Sequence, residues 1–142
     1  MSRSVHLLLP RQFYGAILKQ ARTELPNECC GLLAGVREGD VLRVEKVYPL
    51  VNEAASPVEY QSEPRSMFAA DKDMRALGIE ILATYHSHPS GEPVPSKTDL
   101  ERSYGSDVIH FIIGLKSEPP SLRGWWLTET SFSEAAWEIL EP

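Results

Sequence analysis

No run of apolar residues in this sequence is long enough to cross a bilayer: the longest, "VIHFIIGL", falls far short of the roughly 20 residues a membrane helix needs. The opening "MSRSVHLLLP" also lacks a long apolar segment and a small-residue cleavage site, so no membrane association and a cytoplasmic location are expected. Cysteine is scarce. Cys29 and Cys30 are the only two and they are adjacent; a disulfide between neighbours strains the backbone, so they read as small buried side chains. Basic residues are outnumbered 14 to 20, and the formal net charge of −6 repels a phosphate backbone, which excludes nucleic acid as the expected partner. Internal repeats are missing too, and one domain over residues 1–142 is expected. What remains, 42% hydrophobic and 24% charged residues, is the composition of a soluble globular protein. At 142 residues it can bury roughly 70% of its unfolded surface without a disulfide framework.

The order of elements reads as mixed α/β. A short strand near Val5 to Leu9 precedes Pro10, where a first helical turn can begin, and Phe13, Ile17, Leu18, Ala21 and Leu25 recur at helical spacing. "CCGLLAG" and "DVLRVEKVYPLVN" predict two strands of a hairpin across "VREGD", and "VEYQSE" is compatible with another strand. "RSMFAADKDMRALG" predicts a second helix with Met67, Ala70, Met74 and Leu77 on one face and a glycine at its end. "IEILATY" is a buried central strand running into His86. A proline-rich loop, a short helix "KTDLERSY" stopped by Gly105, and strands in "VIHFIIGL", "SLRGWWLT" and "SFSEAAWEIL" complete the chain. The expectation is a mixed sheet with helices against its faces.

The chemistry concentrates in "YHSHPSGEPVPSKTDLERS". On a strand, His86 and His88 project from one face and Ser87 from the other, so two imidazoles can converge on one ion. Asp99 offers an oxygen from the far side of the loop, and two histidines with one carboxylate and an open position suit a catalytic zinc better than a closed structural one. Pro89, Pro93 and Pro95 restrict the loop and lower the entropy lost in holding it. Read separately, the parts have plainer meanings: Ser96 with Asp99 resembles a helix capping box, Thr98 with Glu101 fits that template more closely, and a histidine pair is often structural. A hydrolase also needs an acid outside the ligand set. Glu28, in "PNECCGLLAG", is the best placed, although by context alone it reads more readily as a solvated acid after a helix.

The combination of "ECCGLLAG", "HSHP", ten residues between His88 and Asp99, and Ser96 three before the aspartate resembles the JAMM metalloprotease family, the catalytic MPN domain. Its pattern is an upstream Glu, His-x-His-Pro and Ser-x-x-Asp, and every position is filled. The resemblance implies that His86, His88 and Asp99 hold Zn2+, that Glu28 serves as acid and base without binding the metal, and that Ser96 stabilises the oxyanion. It implies a cytidine-deaminase-like α/β sandwich with a curved mixed sheet flanked by helices, and hydrolysis of a peptide or isopeptide bond at the tail of a ubiquitin-like or sulfur-carrier protein. The chain resembles the small stand-alone prokaryotic members, without the long segments by which larger relatives grip ubiquitin.

Other residues carry plainer expectations. Met67, Phe68 and Met74 at helical spacing read as core rather than substrate groove. His110 reads as a hydrogen-bonded structural histidine, and His6 carries no signal. Trp125 and Trp126 point to opposite faces of a strand, one expected in the core and the other at an interface, with which a homodimer is compatible. Two rivals share the site's features: a non-haem iron oxygenase, which has no use for Glu28 and Ser96, and a non-catalytic MPN scaffold that binds partner proteins, from which metal ligands would be missing. An amidohydrolase barrel needs about 200 residues or more.

Overall fold

The computed structural model describes residues 5–101 and 107–142. Its strands are β1 His6–Pro10, β2 Cys30–Glu38, β3 Val41–Leu50, β4 Glu80–His88, β5 Ile109–Gly114, β6 Ser121–Leu127, β7 Phe132–Glu134 and β8 Ala136–Leu140. The helices are α1 Arg11–Thr23, α2 Pro64–Leu77 and α3 Lys97–Glu101. One sheet holds all eight strands in the order β7-β6-β5-β4-β2-β3-β1-β8. The pairs β1–β3, β1–β8 and β4–β5 are parallel and the remainder antiparallel. This is the mixed, helix-flanked sheet expected.

The curvature follows from connectivity. β7 and β8 are separated by Ala135 alone, yet they occupy opposite ends of the strand order. Glu134 still pairs with Trp125 of β6, the Ala135 N–H donates to the Gly124 carbonyl, and Ala136 already pairs with His6 of β1. Only a sheet curled until its edges almost meet permits this. "SFSEAAWEIL", expected as a single strand, is therefore two, because its alternating apolar residues serve both edges in succession.

Each helix covers one face. Ile17 and Ala21 of α1 join Leu7, Leu33, Tyr85, Phe111 and Trp126 in the larger core; Phe13 and Leu18 pack at its border. Ala70 and Met74 of α2 join Cys30, Leu32, Tyr48 and Leu50 on the other face. Two helix assignments overreach. Leu25 lies beyond the end of α1 and is 46% exposed, and Leu77 at the last turn of α2 is 55% exposed. Phe68, expected in the core, points away from it at 71% exposure. α2 is bounded as its sequence implies: Glu63 accepts from the Ser66 N–H, Pro64 stands in the first turn, and Gly78 closes the helix in the left-handed region at φ 69°.

The segment "VEYQSE" forms no strand and touches the ladder only through the bridge Asn52–Ser62. Its neighbourhood is satisfied locally by the Asn52 side chain, as described below. The helix expected over "KTDLERSY" is seen as Lys97–Glu101, and its expected stop, Gly105, lies outside the described residues. Trp125 and Trp126 are both buried, on opposite faces, so neither is free for an interface. His110 is buried, with Nδ1 3.0 Å from Thr84 Oγ1, the structural role expected. Both cysteines are buried and free, and burial pushes their thiols up to about 12. Among the described residues no helix is long and apolar enough to cross a membrane.

Candidate metal centre at the carboxyl end of strand β4

β4 lies between β2 and β5, so the backbone carrying His86 and His88 is fixed from both sides: Cys30 pairs with His86, which also pairs with Ile112, and His88 pairs with Gly114. Alternation turns both imidazoles to one face and Ser87 to the other, where Ser87 Oγ accepts the Cys29 N–H at 2.8 Å. His86 Nε2 and His88 Nε2 lie 3.2 Å apart. Tyr60 stacks on the His86 ring with centroids 4.7 Å apart.

The loop after β4 folds back to deliver the third group. Trp125 Nε1–H donates to the Pro93 carbonyl at 2.9 Å, and Val94 and Leu100 pack on a small core of Ile112, Trp125 and Leu127. Gly114 is required at the crossing, since a Cβ there would sit 2.6 Å from Pro93 Cδ. His88 Nδ1 lies 2.9 Å from the Glu92 carbonyl, which can only accept. That bond needs a proton on Nδ1, so Nε2 faces the cluster as a donor to Asp99 while the ring is charged and as a free lone pair once it is neutral.

Ser96 and Asp99 form a reciprocal cap: Asp99 Oδ2 accepts the Ser96 N–H at 2.8 Å, and Ser96 Oγ accepts the Asp99 N–H at 3.1 Å. α3 begins at Lys97, so Ser96 is its cap and the closer-looking Thr98–Glu101 template is not used. The capping reading and the metal reading coexist. Asp99 Oδ1 lies 3.1 Å from His86 Nε2 and Oδ2 3.2 Å from His88 Nε2. Atoms of His86, His88 and Asp99 all lie within 4.8 Å of one another, so these three residues could hold a metal ion. Burial pushes the Asp99 carboxyl up, but hydrogen bonds from both histidines and the Ser96 N–H outweigh it and hold the group well below the usual carboxylate range.

Glu28 is not the solvated acid its context suggested. It is 4% exposed, its Oε1 has no hydrogen-bond partner among the described residues, and burial lifts its carboxyl to about 8, against the pull of His88. It lines a cleft of about 200 Å³ with His88, Ser96, Pro57 and Val58. An orphaned buried carboxylate oxygen beside two imidazoles and a carboxylate is a donor set that fits a divalent cation with a water in reach.

A model of prokaryotic homologues of the JAB domain matches residues 10–128. The chain belongs to this prokaryotic JAB family. A desampylase from Pyrococcus furiosus is 33% identical over 123 residues, covering 87% of this chain and 82% of the relative. A CysO-cysteine peptidase from Mycobacterium tuberculosis is 26% identical over 137 residues, covering 95% and 92%. The solution structure of a Desulfitobacterium hafniense protein superposes with a TM-score of 0.88 at 34% identity, covering 96% of this chain and 94% of that one. The JAB assignment agrees with the resemblance read from the motifs.

Three features of the site escaped the sequence reading: Tyr60 against His86, the cleft wall at Pro57 and Val58, and the organising role of Asn52. Only Asn52 left a trace. "VNEAAS" has the form of an Asx turn, in which an asparagine side chain bonds the backbone two residues on.

Proposed function

We propose that this JAB-family chain is a cytoplasmic zinc-dependent peptidase that hydrolyses a peptide or isopeptide bond at the C-terminal tail of a ubiquitin-like or sulfur-carrier protein. The observation that carries the reading is the convergence of His86, His88 and Asp99 on one point beside the buried, unpartnered Glu28 oxygen. The relatives, a desampylase and a CysO-cysteine peptidase, suggest the substrate class.

His86 Nε2, His88 Nε2 and the Asp99 carboxylate would hold the zinc ion, which supplies Lewis acidity to a carbonyl oxygen and an attacking water. Glu28 accepts the proton of that water at its free oxygen and returns it to the departing nitrogen. In the metal-free protein burial lifts this carboxyl to about 8, and a cation held beside it would draw it back down toward the range where one group both takes and gives a proton near neutral pH. Ser96 Oγ is an acceptor in the helix cap, which leaves its O–H to donate toward negative charge developing on the carbonyl oxygen in the cleft. On the same sheet face as His86, an apolar cavity of about 250 Å³ lined by Leu32, Tyr60 and Met67 suits an apolar side chain of an extended tail. The iron oxygenase gains no support from a buried proton carrier, and the partner-binding scaffold none from a complete ligand set.

The deciding experiment incubates zinc-loaded protein with ubiquitin-like and sulfur-carrier conjugates of its own cell and identifies shortened products by mass spectrometry. Cleavage by the wild type and its near-absence in Glu28→Gln, with zinc retained, is expected. Equal cleavage by Glu28→Gln, or iron with oxygen consumption in the purified protein, would overturn the reading.

A further inference from the structure

Glu28 stands just outside the sheet. Cys30 is held by the ladder to β4, and Cys29 by a pair of bonds with Ser87, but both main-chain groups of Glu28 turn to the loop between β3 and α2. Its N–H donates to the Ser56 carbonyl at 2.8 Å, and its carbonyl accepts from Asn52 Nδ2 at 3.0 Å. The aim of the Glu28 carboxylate therefore depends on a loop rather than on a strand.

Asn52 in turn makes that loop. Its Nδ2 also donates to the Glu59 carbonyl at 3.2 Å, and its Oδ1 accepts the N–H groups of Ala54 and Gln61, each at 3.0 Å. Two donors meet two carbonyls and two lone pairs meet two N–H groups, so the amide has one satisfying orientation and its capacity is full. The loop it closes holds Ala55 at φ 45°, a left-handed conformation that a non-glycine residue keeps only when its surroundings enforce it. The same loop presents Pro57 and Val58 as a wall of the cleft and Tyr60 against His86.

We propose that Asn52 is a positioning residue for the reaction: its side-chain amide clamps the main chain of Glu28 to the 52–61 loop and so fixes the Glu28 carboxylate in the cleft. This rests on Glu28 acting as the proton carrier proposed above. Asn52 touches none of the three metal-holding residues through these bonds, so its loss should leave zinc in place and disturb the step that Glu28 performs.

The sharpest test is Asn52→Asp, which keeps the acceptor for Ala54 and Gln61 but loses both donors and turns a negative charge on two carbonyls. Expected are a kcat lower by about 10–100-fold, the scale of a misplaced catalytic group, an unchanged KM, retained zinc, and faster hydrogen exchange at the Glu28 amide. In a Glu28→Gln background, under single-turnover conditions with long incubation, Asn52→Asp should cost nothing further. A merely structural residue would instead slow both backgrounds by the same factor, which would overturn the proposal, as would wild-type kcat or unchanged exchange at Glu28. Asn52→Ser, whose shorter side chain still offers an acceptor to Ala54, carries the same expectations if the aspartate variant does not fold. Failure of both to fold would assign Asn52 to structure alone and also overturn it. Full activity in Glu28→Gln sinks the function proposed above, whereas an inactive Glu28→Gln beside a normal Asn52→Asp sinks only this clamp.

Discussion

At the scale of single residues, the site sets two acids to opposite tasks by environment. Asp99 is held ionised by two imidazoles and the Ser96 N–H, whereas Glu28, whose Oε1 has no hydrogen-bond partner among the described residues, is held uncharged by burial while no metal is bound. Asp99→Asn separates its two roles. The amide oxygen can still accept the Ser96 N–H and cap α3, but the charge is gone; zinc affinity should fall by more than the about 10–100-fold that losing an outer-shell partner costs, with helical content unchanged by circular dichroism. Unchanged zinc affinity would return Asp99 to capping alone. Glu28 gives a stability prediction for the metal-free protein. Its folded pKa, about 8, lies above its ordinary 4.5, so the stability tied to its proton is intact below pH 4.5 and is lost as pH rises through 8. Glu28→Gln carries no such loss. The metal-free variant should melt above the metal-free wild type at pH 8 and higher, by up to a few kcal/mol, and the gap should close below pH 4.5. A gap that is constant across pH would mean that Glu28 is not buried as a proton carrier. The convergence of His86 and His88 was legible in the sequence because strand alternation is a local rule. The burial of Glu28 was not, since it depends on a loop 24 residues further along the chain.

At the scale of elements, the proline-rich loop is held by two contacts that are cheap to test. Gly114→Ala places a methyl group 2.6 Å from Pro93 Cδ and 2.8 Å from Pro93 N, where ring and backbone have little freedom to yield. We expect a loss of about 1–3 kcal/mol in denaturant unfolding, the usual cost of overpacking, together with weaker zinc retention because the loop carries Asp99. Normal zinc retention would show that the loop can shift without moving its carboxylate. Strands and helices with clear periodicity, β2, β3, α2 and β4, were readable from sequence. The loop between β3 and α2 was not: β-forming residues such as Val58 and Tyr60 suggested a strand, but three bonds with one asparagine side chain satisfied the loop's backbone instead. The apolar cavity belongs to this scale too. Met67→Glu should raise KM for a protein substrate and spare zinc content, measured by steady-state cleavage and metal analysis; an unchanged KM would remove the cavity from the tail's path.

At the scale of the whole molecule, β1 sits between β3 and β8, so the first strand of the sequence is covered by the last. Trp137 of β8 packs edge-on against Phe111 and beside Tyr14 of α1, tying that covering strand into the larger core. Removal of residues 136–142 would leave β1 as a bare edge beside Leu7 and Leu9, a template for pairing with other chains. The truncated protein should self-associate in light scattering; a monomeric, fully folded truncation would show that β8 contributes little. That the sheet curls so far was hidden in the sequence, because nothing in "SFSEAAWEIL" marks the single residue at which the chain leaves one edge for the other. The larger core is thus shut by a single stave, and a change that frees β8 alone would leave an otherwise folded shell with one seam open.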